Sequence, residues 1–195
     1  MNLALTTDTT LHSMVPSALL RDEDRATLAA NREYLLGLTE SIVSTFYDSA
    51  FGHAPTAAVF EEGERPAREE TLRHWWHRTV GAPLDEQYFK WMSFVGIVHI
   101  RRGVSNPMML SMLQVVGDFV VERATTDLGG EQAAKLGSTF GRLATTVGSL
   151  IAETFTRGYV GALEDLAGLD PKLTARMLSL EVKRLEEDGR AQIGG

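Results

Sequence analysis

The chain has 195 residues, a formal net charge of -7, 44% hydrophobic and 23% charged residues, and no cysteine. That length supports one domain with a sizeable core. The acidic balance argues against a general nucleic-acid binder, which needs a basic surface to replace phosphate counterions. The absence of thiols excludes disulfides, thiolate catalysis, zinc–thiolate sites and iron–sulfur clusters.

Residues 1–15 read as a flexible tail. They lack the basic segment and apolar run of a secretory signal, and no stretch of the chain approaches the roughly eighteen apolar residues of a membrane span, so a cytoplasmic location is the default. Pro16 can start a short helix reaching about Ala30. From Arg32 to Ala50, residues Leu35, Leu38, Ile42, Phe46 and Ala50 form one amphipathic stripe. Gly52-His53 and Pro55 interrupt it, and a turn over 56–60 and a loop over 61–66 follow. The next helix is expected from about Ala67 to Val80, closed by Gly81 and Pro83. Asp85 is an N-cap for a helix reaching Arg102, with Gly103 as its C-cap. Asn106, as an N-cap before Pro107, opens another helix reaching about Thr126. Gly129-Gly130 breaks it, and the longest helix then runs from Glu131 to about Tyr159. Asp170-Pro171 starts a last helix, with Leu173, Met177 and Leu180 on one side, ending near Gly189. The fold class is all-α, with about seven or eight helices and no strand pattern or repeat; bundles, solenoids and globins all satisfy that description.

Five histidines deserve comparison: His12, His53, His74, His77 and His99. His12 lies in the tail and His53 in a turn, positions that suit solvated side chains. His74 and His77 are three apart on a helix, a spacing that can share a metal, but no acidic third ligand has a position beside them. His99 follows Tyr88, Met92 and Val95 at i, i+4, i+7 and i+11, which places it on the apolar face of its helix. Two readings stay open on the residues alone. One is a hydrogen-bonded core histidine; the other is an axial ligand covered by Trp91, Phe94 and Val98, close to the corner at Gly103.

The run Phe94-Val95-Gly96-Ile97-Val98-His99-Ile100-Arg101-Arg102-Gly103-Val104-Ser105-Asn106-Pro107 resembles the proximal signature of the globin-coupled-sensor and protoglobin lineage. That signature is an apolar-Gly/Ala-x-x-His core followed by an apolar residue, an arginine, a glycine and a proline. Leu84-Asp85-Glu86-Gln87-Tyr88 resembles the acidic-aromatic start of the same helix, and Phe46-Tyr47-Asp48 resembles the family's distal Phe-Tyr-Asp. The likeness covers about residues 30–160. It implies a globin fold with an extra N-terminal and an extra C-terminal helix: a tail over 1–15, a haem-binding domain over 16–160 and a helical extension over 161–195.

By the same resemblance the cofactor is haem b, held noncovalently through His99 as the proximal iron ligand. Tyr47 takes the place of the distal hydrogen-bond donor to a diatomic ligand, and Thr71 falls where some members carry a second polar group. Ala67 stands near the usual distal-histidine position. Phe46, Trp75, Tyr88, Met92 and Val95 are the candidate walls of the haem pocket. One departure is Met108-Met109, where the family often has an aromatic residue after the proline.

The implied activity is reversible binding of dioxygen, carbon monoxide or nitric oxide, in a single-domain gas sensor or protoglobin. A haem enzyme is one alternative, performing nitric oxide dioxygenation or peroxide chemistry with an external reductase; a haem-free regulatory module is another. In the 131–159 helix, Leu136, Phe140, Leu143, Val147, Leu150 and Thr154 make a heptad seam beside the small residues Gly137, Gly141, Gly148 and Ala152. This face predicts either packing on the chain's own helices or a homodimer through the 106–126 and 131–159 helices. A sensor would also need a separate signalling partner; no nucleic acid or membrane partner is expected.

Overall fold

The computed structural model describes residues 1–193, and helix follows helix with no strand among the described residues. The chain divides into two units, Met1–Phe155 and Thr156–Gly195. The first holds α1 (Leu3–Ser13), a 3-10 turn (Pro16–Ala18), α2 (Asp22–Ala30), α3 (Arg32–Gly37), α4 (Thr39–Gly52) and α5 (Ala54–Ala57). It continues through α6 (Arg65–Gly81), α7 (Glu86–Arg102), α8 (Asn106–Leu128) and most of α9 (Gly130–Ala167). The all-α globin fold with additional helices at both ends is what the sequence predicts.

The tail is different. Over Leu3–Ser13 the chain is helical, capped by Asn2, whose Oδ1 accepts from the Leu5 amide at 3.1 Å. The threonines of this segment are weak helix formers because their hydroxyls compete for backbone groups. Here Thr7 and Thr10 donate to carbonyls one turn back, those of Leu3 and Thr6, and the buried side chains of Thr6, Thr7 and Thr10 line the helix. α1 packs on α7, and the Thr7 and Ser93 hydroxyls meet at 2.8 Å in the buried interface.

The single 32–50 helix is divided at Leu38, which ends α3 and precedes α4. The apolar stripe runs through the break unbroken: Leu35 and Ile42 are both buried. The start of α8 is capped by Ser105 rather than by Asn106, the Ser105 side chain accepting from the Met108 amide. α9 runs on to Ala167, past the expected end at Tyr159, because nothing stops a helix before Gly168, which takes a left-handed φ of 63°.

Trp76 of α6 is fully buried at the centre. Its indole N–H donates to the Leu35 carbonyl at 2.9 Å, and its ring stacks on Phe140 of α9 at 5.8 Å. Burying each large apolar side chain of this kind stabilises the fold by roughly 1.5–3 kcal/mol.

α2 is tied to α9 by charge. Asp24, 1% exposed, receives a two-pronged contact from the Arg142 guanidinium, the Thr139 hydroxyl at 3.2 Å and the Arg21 amide at 2.9 Å. Burial pushes the Asp24 carboxyl up, but these donors and the Arg142 charge outweigh it and bring its pKa down to about 2. A carboxyl depressed in the folded state contributes stability that is present above its unfolded value and is lost as pH falls toward its folded one. The shift corresponds to about 2 kcal/mol. Acid titration of stability should therefore show a loss between about pH 4 and pH 2. Asp24→Asn should remove that limb while lowering stability at neutral pH, and an unchanged acid profile in the variant would refute the assignment.

The small-residue face of α9 serves packing at two of its glycines. A methyl group at Gly137 would lie 2.8 Å from the Val121 side chain, and one at Gly148 would lie 3.1 Å from Leu110. Both glycines therefore serve packing against α8 of the same chain. Gly141 faces open space.

The second unit holds the end of α9 and α10 (Pro171–Gln192), whose cap is Asp170, accepting from the Lys172 and Leu173 amides. Leu173, Met177 and Leu180 share one side as predicted, and each is about half exposed or more. Positions 194 and 195 of the expected 161–195 extension lie outside the described residues. No helix among the described residues is long and apolar enough to cross a membrane.

Candidate functional site

α4, α6, α7, α8 and α9 line a cavity of about 330 Å³, within the size range of cofactor and small-molecule sites. Its lining is overwhelmingly apolar. Phe46 and Tyr47 come from α4, Thr71 and Trp75 from α6, and Met92, Val95 and His99 from α7. Seven of the eight pocket residues expected from the sequence thus converge on one space.

The eighth, Tyr88, does not. It is buried away from the cavity, its hydroxyl 3.0 Å from that of Thr79, and Arg78 lies over its ring. Its ring packs edge-on against Trp91, which does line the cavity, so Tyr88 stands one layer behind the wall rather than in it. The apolar face of α7 buries against two different neighbourhoods, and periodicity alone does not separate them.

α7 is set firmly. Asp85 accepts from the Tyr88 amide at 2.9 Å at its start, and Gly103 closes its end at a left-handed φ of 70°. At Gly96 the helix meets α9 backbone to backbone. A methyl there would press into the Ile151 carbonyl oxygen, lie 2.9 Å from the Phe155 amide nitrogen and 3.1 Å from Thr154 Cβ. The glycine of the Gly/Ala-x-x-His signature thus fixes the height of the helix that carries His99.

His99 itself is largely buried. Its Nδ1 is sealed from solvent and has no hydrogen-bond partner among the described residues. Burial pushes the ring's pKa down to about 4, so the imidazole is neutral at physiological pH with a nitrogen lone pair to offer. An unsatisfied buried nitrogen of this kind costs about 1–3 kcal/mol. The hydrogen-bonded core histidine, one of the two open readings, is not what the structure holds.

Across the cavity, the Tyr47 hydroxyl donates to the Arg68 carbonyl at 2.7 Å. Burial pushes its pKa up to about 12, so it keeps its proton and remains a donor. Thr71 reaches the cavity wall, but its hydroxyl donates to the Ala67 carbonyl one turn back, at 3.0 Å. The remaining histidines lie elsewhere. His77 pairs with the Thr39 hydroxyl at 3.0 Å and His74 packs edge-on against Trp91. No group of three or more metal-ligating side chains occurs among the described residues.

Sequence reasoning missed two lining residues of a different character, Arg68 and Arg102. Both are long cations at helix positions that read as solvated. Methionines Met108 and Met109, noted as a departure from the family pattern, also line the cavity.

A neutral imidazole on the wall of an apolar cavity is the donor a haem requires, and the residues present fit that group. Comparison with curated proteins yields no match. The model of one family, described as Protoglobin, matches residues 8–160, spanning both the Tyr47 and His99 segments. The chain belongs to the protoglobin family.

Proposed function

We propose that this protein is a haem-binding globin that takes up diatomic gases, with His99 as the axial ligand and Tyr47 as the distal donor. The observation that carries the reading is the buried, unpartnered, neutral His99 imidazole on the wall of an apolar cavity. Haem b, held without covalent attachment, would supply the coordination position at which a diatomic gas binds. The chain's own part is to hold the macrocycle between α6 and α7, exclude water and present a hydroxyl proton. Haemin titrated into the purified protein should give an intense Soret band saturating at one equivalent per chain. No such band would favour the haem-free regulatory module instead.

Tyr47 has a backbone acceptor in Arg68, so a polar ligand must compete for its proton. Dioxygen, which draws more negative charge than carbon monoxide when bound, competes better. Removal of one hydrogen bond to such an acceptor costs roughly 1.5–3 kcal/mol. Tyr47→Phe should therefore speed dioxygen release by about ten- to a hundredfold, with a much smaller change for carbon monoxide. Equal changes for both gases would show that the hydroxyl stays on Arg68.

A second copy of the chain is the proposed partner, through the α8 and α9 faces. Leu110 is 50% exposed on α8, and Gly141 leaves room for a close approach on α9. Sedimentation at high micromolar concentration reads this directly, and a monomer there would reject it.

A further inference from the structure

An apolar cavity with two arginines in its wall is an unusual combination. A buried cation is costly unless an anion pairs with it. Among the described residues, Arg68 and Arg102 are the lining side chains that carry positive charge at physiological pH, and they converge on a single acid, Glu64. Arg102, at the last turn of α7 and one turn beyond His99, donates to the Glu64 carboxylate and to the Val59 carbonyl at 3.1 Å. Arg68, one turn into α6, sits 3.2 Å from the other Glu64 oxygen. Its Nε is nevertheless out of line to donate, sealed from solvent and without a hydrogen-bond partner among the described residues. Two guanidinium groups thus share one half-buried carboxylate, and one buried donor is left over.

We infer that this end of the cavity recognises the carboxylates of the porphyrin, with Arg68 and Arg102 as the donors and Glu64 as the internal anion that occupies them until those carboxylates arrive. The assignment rests on the haem reading above and deepens it by naming the edge that enters. A porphyrin bearing two propionates on one side is apolar over most of its area and anionic at one rim, which matches a cavity apolar over most of its wall and cationic at one end. Guanidinium–carboxylate pairs are geometrically exacting because the planar fork offers parallel N–H donors. They therefore fix the in-plane rotation of the ring, which an axial histidine alone leaves free. The same Arg68 accepts the Tyr47 hydroxyl through its carbonyl, so the residue that would hold a propionate also sets the resting place of the distal donor.

The test compares haemin with haemin dimethyl ester, which has the same ring and iron but no carboxylates, by Soret titration of the full chain. Wild type should prefer the free acid, and the Arg68→Gln/Arg102→Gln variant should lose about ten- to a hundredfold in affinity for haemin while its affinity for the ester stays put. Should the double variant fold poorly, Glu64→Gln supplies the opposite reading: with the internal anion gone, haemin should bind more tightly and the ester as before. Equal binding of acid and ester in wild type, or equal losses for both in the arginine variant, would overturn the carboxylate assignment and leave the His99 reading intact. Failure of both porphyrins to bind wild type would overturn the two together.

Discussion

His99→Leu should make the haem-free protein more stable and unable to hold haem. The Nδ1 atom is buried without a partner, and a group in that state costs about 1–3 kcal/mol. Leucine has nearly the volume of histidine and nothing to satisfy. For a unit of this size a gain of 1 kcal/mol raises the melting temperature by roughly 2–4 °C, so the apo-variant should melt several degrees higher. Haem affinity should fall by more than the roughly ten- to hundredfold that loss of even an outer-sphere partner costs at metal sites. Differential scanning calorimetry and haemin titration on the same preparations check both halves. A destabilised apo-protein would mean that the imidazole serves the core, and retained affinity with unchanged axial ligation would remove His99 as the ligand.

Gly96→Ala should be far more damaging than a single methyl group usually is. The first two atoms a Cβ would meet belong to the α9 backbone, the Ile151 carbonyl and the Phe155 amide. No rotamer change can move them. Overfilling of this kind costs typically 1–3 kcal/mol and sometimes more, because a whole helix must lift. Lifting α7 moves His99, three residues further along, relative to α4 and α6. The expected result is a lower melting temperature together with weakened haem binding. Removing the one side-chain atom nearby, the Thr154 Cβ, as in Gly96→Ala/Thr154→Gly, should not restore haem binding, since the obstruction is main chain. Rescue by Thr154→Gly would show that the crossing is looser than the structure has it.

Much of this was legible in the sequence, for reasons that can be named. Asp85 and Gly103 mark the ends of α7 because capping is a local interaction, decided within one turn of chain. The His99 and Tyr47 segments are legible through their likeness to the family. What stayed hidden depends on distant partners. The purpose of Gly96 exists only once α9, more than fifty residues later, lies across it. The arginines of the cavity look like surface residues because their side chains are long enough to leave either way. Tyr88 occupies the same stripe as His99 and yet lies behind the cavity wall, held by the Thr79 hydroxyl and the Trp91 ring, partners that a helical repeat does not record. The division at Leu38 leaves the apolar pattern intact, so the pattern could not reveal it.

The threonine-lined α1 has a consequence for biosynthesis. Its partner hydroxyl, Ser93, lies 86 residues downstream of Thr7, so while the chain emerges from the ribosome α1 must wait for α7 to be made. An N-terminal segment with a leucine stripe would spend that interval as an adhesive surface, open to capture by neighbouring nascent chains. Hydroxyls can be hydrated in the meantime and exchange water for one another only when the two helices meet. A helix translated so long before its partner is thereby built to dock late.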